Sequence, residues 1–266
     1  GKASKSWRAL RVAGRFKLPA FDKIDDPQKI DAVFEDLKEG ANGDDDDANA
    51  EDDAPDAEAP EDTRPIIVFG PAGVGKSTLI RRLQDAQRGI FKTVVRHTTR
   101  PAADGETDGE DFHFVSAQAF NQLRDGDRLV EHSERGGVSY GTSTKVVDAI
   151  VDNDKVPVIE LDMEAARFAK DMDFSARYVL VKPSSAEALS ARLSKAGKDD
   201  DAIKAIVDKL PEQLDEDSTA EVYDISVVND EEEVAGKELM SFVYRKEGEE
   251  GTNGDVAMGE GDSAEV

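Results

Sequence analysis

The residues with the most chemical content in this 266-residue chain stand together as Gly70-Pro71-Ala72-Gly73-Val74-Gly75-Lys76-Ser77-Thr78. The pattern is G-x-x-x-x-G-K-S, in which closely spaced glycines let successive backbone N–H groups curl around a polyphosphate. Lys76 then meets the β and γ phosphates of ATP, and the Ser77 hydroxyl is the expected ligand for Mg²⁺. Pro65 to Phe69, immediately before the loop, is a short apolar run rich in β-branched residues, and Thr78 to Ala86 carries a helical pattern. The loop therefore opens a helix whose N-terminus adds positive potential where the phosphates sit. Chance alone produces the motif in roughly one chain of this length in a hundred, and the strand and helix on either side lower that further.

A phosphate loop has to be held at the carboxyl end of a strand within a sheet. Further apolar segments follow at Thr93 to Val95, Phe112 to Val115, Val156 to Asp162, Ala176 to Val181 and Tyr223 to Val228, with amphipathic stretches between most of them. Such alternation predicts an α/β domain built on a parallel sheet. The 34 basic and 59 acidic residues, net charge -25, are unevenly spread, and the apolar residues concentrate between about Thr63 and Lys246. That stretch is expected to be the folded domain. Residues 40–62 hold eleven acids and no base, and 247–266 hold seven acids and no base. Both flanks have the composition of disordered segments.

Residues 1–24 are the opposite case, with seven bases and one acid interleaved with Trp7, Leu10, Val12, Phe16 and Leu18. A basic arm of this kind is expected to engage an acidic surface, either of a protein partner or of the chain's own Asp44 to Asp47 run. Asp26-Pro27, followed by Ile30, Val33, Phe34 and Leu37, predicts a short amphipathic helix to about Glu39. The acidic balance argues against general nucleic-acid binding. With no cysteine there is no disulfide framework and no thiol chemistry. No apolar run approaches the roughly 20 residues of a membrane span, so a cytoplasmic location is expected.

The phosphate loop does not name the group that receives the phosphoryl. Several further motifs, in order along about 180 residues, resemble guanylate kinases, nucleoside monophosphate kinases of the P-loop fold. They are Arg64-Pro65-Ile66-Ile67-Val68 with the loop, His97-Thr98-Thr99-Arg100 with Gly105-Glu106, and Gly109-Glu110-Asp111-Phe112-His113-Phe114-Val115. Leu129-Val130-Glu131, Tyr140-Gly141-Thr142-Ser143, Ile159-Glu160-Leu161-Asp162 and Val227-Val228-Asn229-Asp230 complete the series. The resemblance implies a parallel-sheet core with a small GMP-binding subdomain and a lid. It implies ATP with Mg²⁺ on one side, bound by Gly70, Ala72, Gly73, Val74, Gly75, Lys76, Ser77, Thr78 and Asn229. On the other side it implies GMP, with Arg100 and Tyr140 on its phosphate, Glu131, Thr142 and Asp162 on its base, and Glu106 and Phe112 in the same acceptor segment. Guanine's N1–H and 2-amino group are donors, so acceptor side chains suit them.

The departures fall on cations. The resemblance implies a second phosphate-binding arginine where Ala103 stands, a serine where Arg96 stands, a tyrosine where Phe112 stands, and lid arginines near Ala196 and Ile206. Arg96, turned inward beside the acceptor phosphate, and Lys195 and Lys198 in the lid are the expected substitutes, with partial effect because lysine lacks the planar fork. Two functions are therefore expected: an ATP:GMP phosphotransferase of reduced activity, with Lys76, Arg100, Lys195 and Lys198 as its catalytic cations, or a scaffold that keeps the fold and binds nucleotide.

Overall fold

The computed structural model describes residues 58–215 and 219–245. The basic arm, the Pro27 to Glu39 helix, most of the acidic linker and the 247–266 tail lie outside the described residues.

Nine strands and eight helices make up the described part. In chain order they are β1 (Ile66–Phe69), α1 (Lys76–Ala86), β2 (Phe91–Thr93), β3 (His97–Thr98), β4 (His113–Phe114), α2 (Ala117–Asp125), β5 (Leu129–Arg135) and β6 (Val138–Ser143). There follow α3 (Thr144–Asp152), β7 (Val156–Leu161), α4 (Met163–Asp171), β8 (Arg177–Lys182), α5 (Ala186–Lys195), α6 (Asp200–Val207), α7 (Leu210–Gln213), β9 (Ile225–Val228) and α8 (Glu232–Val243).

The main sheet runs β2-β7-β1-β8-β9 and is parallel throughout. Its central strand shows why the fold has three layers. Side chains alternate across a strand, and all four residues of β1 are buried, so both faces must be covered. Ile66 and Val68 enter one core with Leu79 and Leu83 of α1, Leu189 and Leu193 of α5 and Leu239 of α8. Ile67 and Phe69 enter the other with Val147 of α3 and Ala165, Ala166 and Ala169 of α4. The register sets Phe69 level with Leu161 and Leu180, so Gly70, Asp162 and Val181 share the carboxyl edge of the sheet.

A second sheet, β4-β3-β6-β5, is mixed and carries α2 through Phe120, Leu123 and Leu129. Two sequence expectations change here. The strand expected at Thr93 to Val95 lies two residues earlier, because Phe91 pairs with Val156 and sinks into the core beneath β7. The strand expected at Phe112 to Val115 shortens to His113–Phe114 and pairs with β3, outside the parallel core. The strands β5 and β6, which the apolar segments did not announce, form an antiparallel hairpin turning at Gly136-Gly137. Three helices, α2, α3 and α4, hand over to the next strand through Asp127, Asp154 and Asp173, each in the left-handed region usually given to glycine.

Candidate nucleotide and acceptor site

The loop from Gly70 to Ser77 leaves β1 and enters α1 through Gly70, Gly73 and Gly75, each at positive φ and each where a Cβ would collide with a neighbour. Gly70 has φ +148°, and a Cβ there would lie 2.1 Å from the Val181 carbonyl oxygen of β8. At Gly75, φ +90°, a Cβ would lie 2.5 Å from Nδ2 of Asn229. The helix start is unusual too. Helices α2, α3, α4, α5 and α6 are each capped by a side chain, from Ser116, Ser143, Asp162, Ser185 and Asp199. Gly75 offers none to α1, so that helix presents its first N–H groups uncapped, as an anion site requires. Lys76 Nζ donates to the carbonyl oxygens of Gly70 and Pro71 at 3.0 and 2.9 Å. Burial, with the nearby positive charge of Arg135, lowers its pKa against the opposing pull of Glu160. Such an ammonium gains from an added polyphosphate. Ser77 is exposed, with no protein partner for its hydroxyl among the described residues, which fits a magnesium ligand. Ala72 is exposed and Thr78 half-buried on the same loop and first turn.

The loop is braced from behind by a contact the sequence reading did not assign. Asn229, fully buried beyond β9, donates from Nδ2 to the Val74 carbonyl at 2.7 Å. Arg192 of α5 donates to the same carbonyl at 2.7 Å and also to the Asn229 carbonyl. Asn229 thus shapes the phosphate loop through its backbone. Nothing local in the sequence signals that Arg192 reaches this loop. On that same helix Lys195, and beyond it Lys198, are exposed and form no hydrogen bond or ion pair among the described residues, so the structure does not bring them onto Lys76.

The second sheet brings together most of the residues expected on the acceptor side. Glu131 of β5 faces Thr142 of β6 in the register, both are fully buried, and Thr142 Oγ1 donates to Glu131 Oε1 at 2.7 Å. His97 pairs with Gly141, so Arg96, one residue before β3, is level with Thr142. Arg96 lies against Glu131, with Nε to Oε1 at 3.0 Å and Nη2 to Oε2 at 2.8 Å. This corrects the expectation for Arg96. It turns inward, but its Nε and Nη2 are taken up by the carboxylate expected to read the base, because a buried carboxylate draws the nearest guanidinium. Asp162 is similarly engaged: Oδ1 caps α4 by accepting from Ala165 N at 2.8 Å, and Oδ2 pairs with Arg135 at the hairpin tip.

Arg100 sits at the other end. Its guanidinium meets Glu106 through two bonds, 2.5 and 2.6 Å, and lies over the rings of Phe112 and Phe114 at 5.0 and 5.5 Å. Phe112 in turn meets Tyr140 edge-on at 5.9 Å. Glu106 also accepts from Ala103 N at 2.8 Å, and the Arg100 bond holds its carboxyl down at about 2. With both oxygens engaged and its charge negative, Glu106 aims Arg100 and is unsuited to touching an anion itself. Phe112 keeps a ring under Arg100 where a tyrosine hydroxyl would have faced the ligand.

A family model described as guanylate kinase matches residues 62–246. A second, described as THO complex subunit 1 transcription elongation factor, matches residues 1–61, where composition showed only a basic arm, a helix and an acidic linker. The chain is similar to guanylate kinase of Homo sapiens, 34% identical over 179 residues, covering 66% of this chain and 90% of that one. It is similar to guanylate kinase of Schizosaccharomyces pombe, 33% identical over 66% of this chain and 88% of that one. Among solved structures, guanylate kinase from Anaplasma phagocytophilum superposes with TM-score 0.48 at 23% identity, covering 68% of this chain and 84% of that one. With the family match spanning most of the chain and every motif of the cleft on it, this chain belongs to the guanylate kinase family.

Proposed function

We propose that the chain transfers the γ-phosphoryl group of ATP to GMP, giving ADP and GDP, at a rate below that of a family member with its full set of arginines. The observation that carries the reading is the phosphate loop: an uncapped helix start with a half-buried lysine held at the carboxyl edge of the sheet. A chain serving only as a scaffold has no use for an amine kept at that desolvation cost.

Backbone N–H groups from Gly70 to Thr78 and Lys76 hold the phosphates of ATP, and Asn229 with Arg192 keeps the loop in shape. Ser77 would hold Mg²⁺, which would supply charge neutralisation at the phosphates. Arg100, aimed by Glu106, and Tyr140 hold the acceptor phosphate. Glu131, Thr142 and Asp162 line the base end, with Phe112 as the apolar wall under Arg100. The acceptor's own phosphate oxygen is the nucleophile, so no covalent enzyme intermediate forms. Lys195 and Lys198 join when the lid closes.

Reduced activity follows from Ala103 and Ala196, since a cation lost from the transition state costs about 10³- to 10⁵-fold in phosphoryl transfer. A coupled assay with Mg·ATP and GMP tests the reading. Turnover that disappears in Lys76→Ala supports it, while tight nucleotide binding without any turnover moves the chain to the scaffold class. Arg96 and Arg135, both taken up by the acceptor-side carboxylates, are the observations that favour that second class.

A further inference from the structure

Arg96 is the residue in this cleft whose chemistry the kinase reading leaves unused. A carboxylate oxygen accepts about two hydrogen bonds. Glu131 Oε1 already takes two, from Thr142 Oγ1 at 2.7 Å and Arg96 Nε at 3.0 Å, and Oε2 takes one from Arg96 Nη2 at 2.8 Å. The edge that Arg96 presents, two parallel N–H groups in one plane, is the pattern guanine presents with N1–H and its 2-amino group. Glu131 is fully buried and the Arg96 side chain only 15% exposed, so water does not readily replace either partner. Guanine cannot claim both oxygens while Arg96 holds them.

Arg96 also brings donors of its own. Its Nη1 has no protein partner among the described residues, and its guanidinium stands 5.9 Å from the centre of the Tyr140 ring. Free guanidinium N–H groups suit acceptors in the plane of a base, and the 6-oxo group and N7 of a purine are such acceptors. Adenine has a 6-amino donor at that place, which would meet donors.

On the basis of the kinase reading above, we infer that Arg96 stands in for the guanine 2-amino edge on Glu131, so that the acceptor site takes 6-oxopurine nucleoside monophosphates as a class. Inosine monophosphate, which lacks the 2-amino group, serves as well as GMP, and AMP is refused.

The test uses the full chain with saturating Mg·ATP and with GMP, inosine monophosphate or AMP, for the unaltered protein and Arg96→Ser. Unaltered, kcat/KM for the two 6-oxopurines is expected to agree within about threefold, with AMP about a hundredfold lower or worse. Arg96→Ser frees Glu131 and should raise the GMP to inosine monophosphate ratio to about tenfold or more, the effect of one hydrogen bond to a charged group. A tenfold preference for GMP in the unaltered protein overturns the inference, as does an unchanged ratio in a folded Arg96→Ser. Should circular dichroism show that the variant does not fold, the ratio in the unaltered chain decides alone. If no monophosphate is turned over, the kinase reading fails by itself, and calorimetric Kd values for the same three ligands supply the same ratios. Failure of all three to bind overturns both.

Discussion

Removing Arg192 and Asn229, singly and together, tests how the phosphate loop is held. The Val74 carbonyl sits on a fully buried residue and accepts from both side chains at 2.7 Å. Arg192→Ala deletes charge-assisted bonds to Val74 and Asn229 but leaves the Val74 oxygen its amide donor, so the expected cost is about 2 kcal/mol of stability. Asn229→Ala deletes one neutral bond and leaves the guanidinium in place, at about 1 kcal/mol. Only the double substitution orphans the carbonyl, which adds its desolvation cost of about 1–3 kcal/mol to the sum of the single effects. Urea denaturation of the four proteins gives the coupling, with unchanged m-values as the check that the unfolded state is common to all. Calorimetry with Mg·ATP should show the same order of loss, because the loop that relaxes is the one that wraps the phosphates. Arg192→Lys restores one bond at most and should fall between. Single effects that add within about 0.5 kcal/mol refute the shared-carbonyl argument, since independent sites behave that way.

Lys76→Ala should weaken Mg·ATP binding at least about tenfold by calorimetry while thermal unfolding stays cooperative, because the ammonium bonds only the Gly70 and Pro71 carbonyls of its own loop. His97 is fully buried, and burial together with the neighbouring His113 pushes its pKa from 6.5 to about 3. The unfolded chain then binds the proton first as pH falls, so stability drops from about pH 6.5 downward, by about 2 kcal/mol at pH 5, which His97→Phe should largely abolish in urea melts. Ala103→Arg should lower the GMP KM and Ala196→Arg should raise kcat, each by about tenfold or more in the coupled assay. If neither changes turnover, the lost arginines are not what limits it.

How much of this was legible in the sequence depended on whether a residue's partner lay within its own motif. The loop was readable whole, because strand, glycines, lysine and helix are adjacent and the constraint on each is local. The central strands were readable because full burial on both faces writes an unbroken apolar run, as at Ile66 to Phe69. The hairpin of β5 and β6 is not written as an apolar run, since Glu131, His132, Ser133 and Glu134 make a polar strand in which the buried Glu131 is held by hydrogen bonds from Thr142 and Arg96. Arg192 was given no role, and Arg96 was expected beside the acceptor phosphate, for the same reason. Their partners, Val74 and Glu131, are 118 and 35 residues away, and no spacing rule reaches that far.

Arginine is absent at Ala103 and Ala196, where the resemblance sets it on phosphate, and present at Arg96 and Arg135, where it pairs with Glu131 and with Asp162. A phosphate dianion gains most from a guanidinium within direct bidentate reach, and that reach is lost at Ala103. Arg135 keeps part of the field, because it bridges from the hairpin tip to Asp162 at the carboxyl edge of β7, close enough to Lys76 to lower the lysine's pKa. At the base end Glu131 and Asp162 are each paired with an arginine, and the Arg96 Nη1 is left as an outward donor. On the proposed reading, an acceptor site with its guanidinium groups placed this way holds phosphate less firmly and reads a different edge of the base.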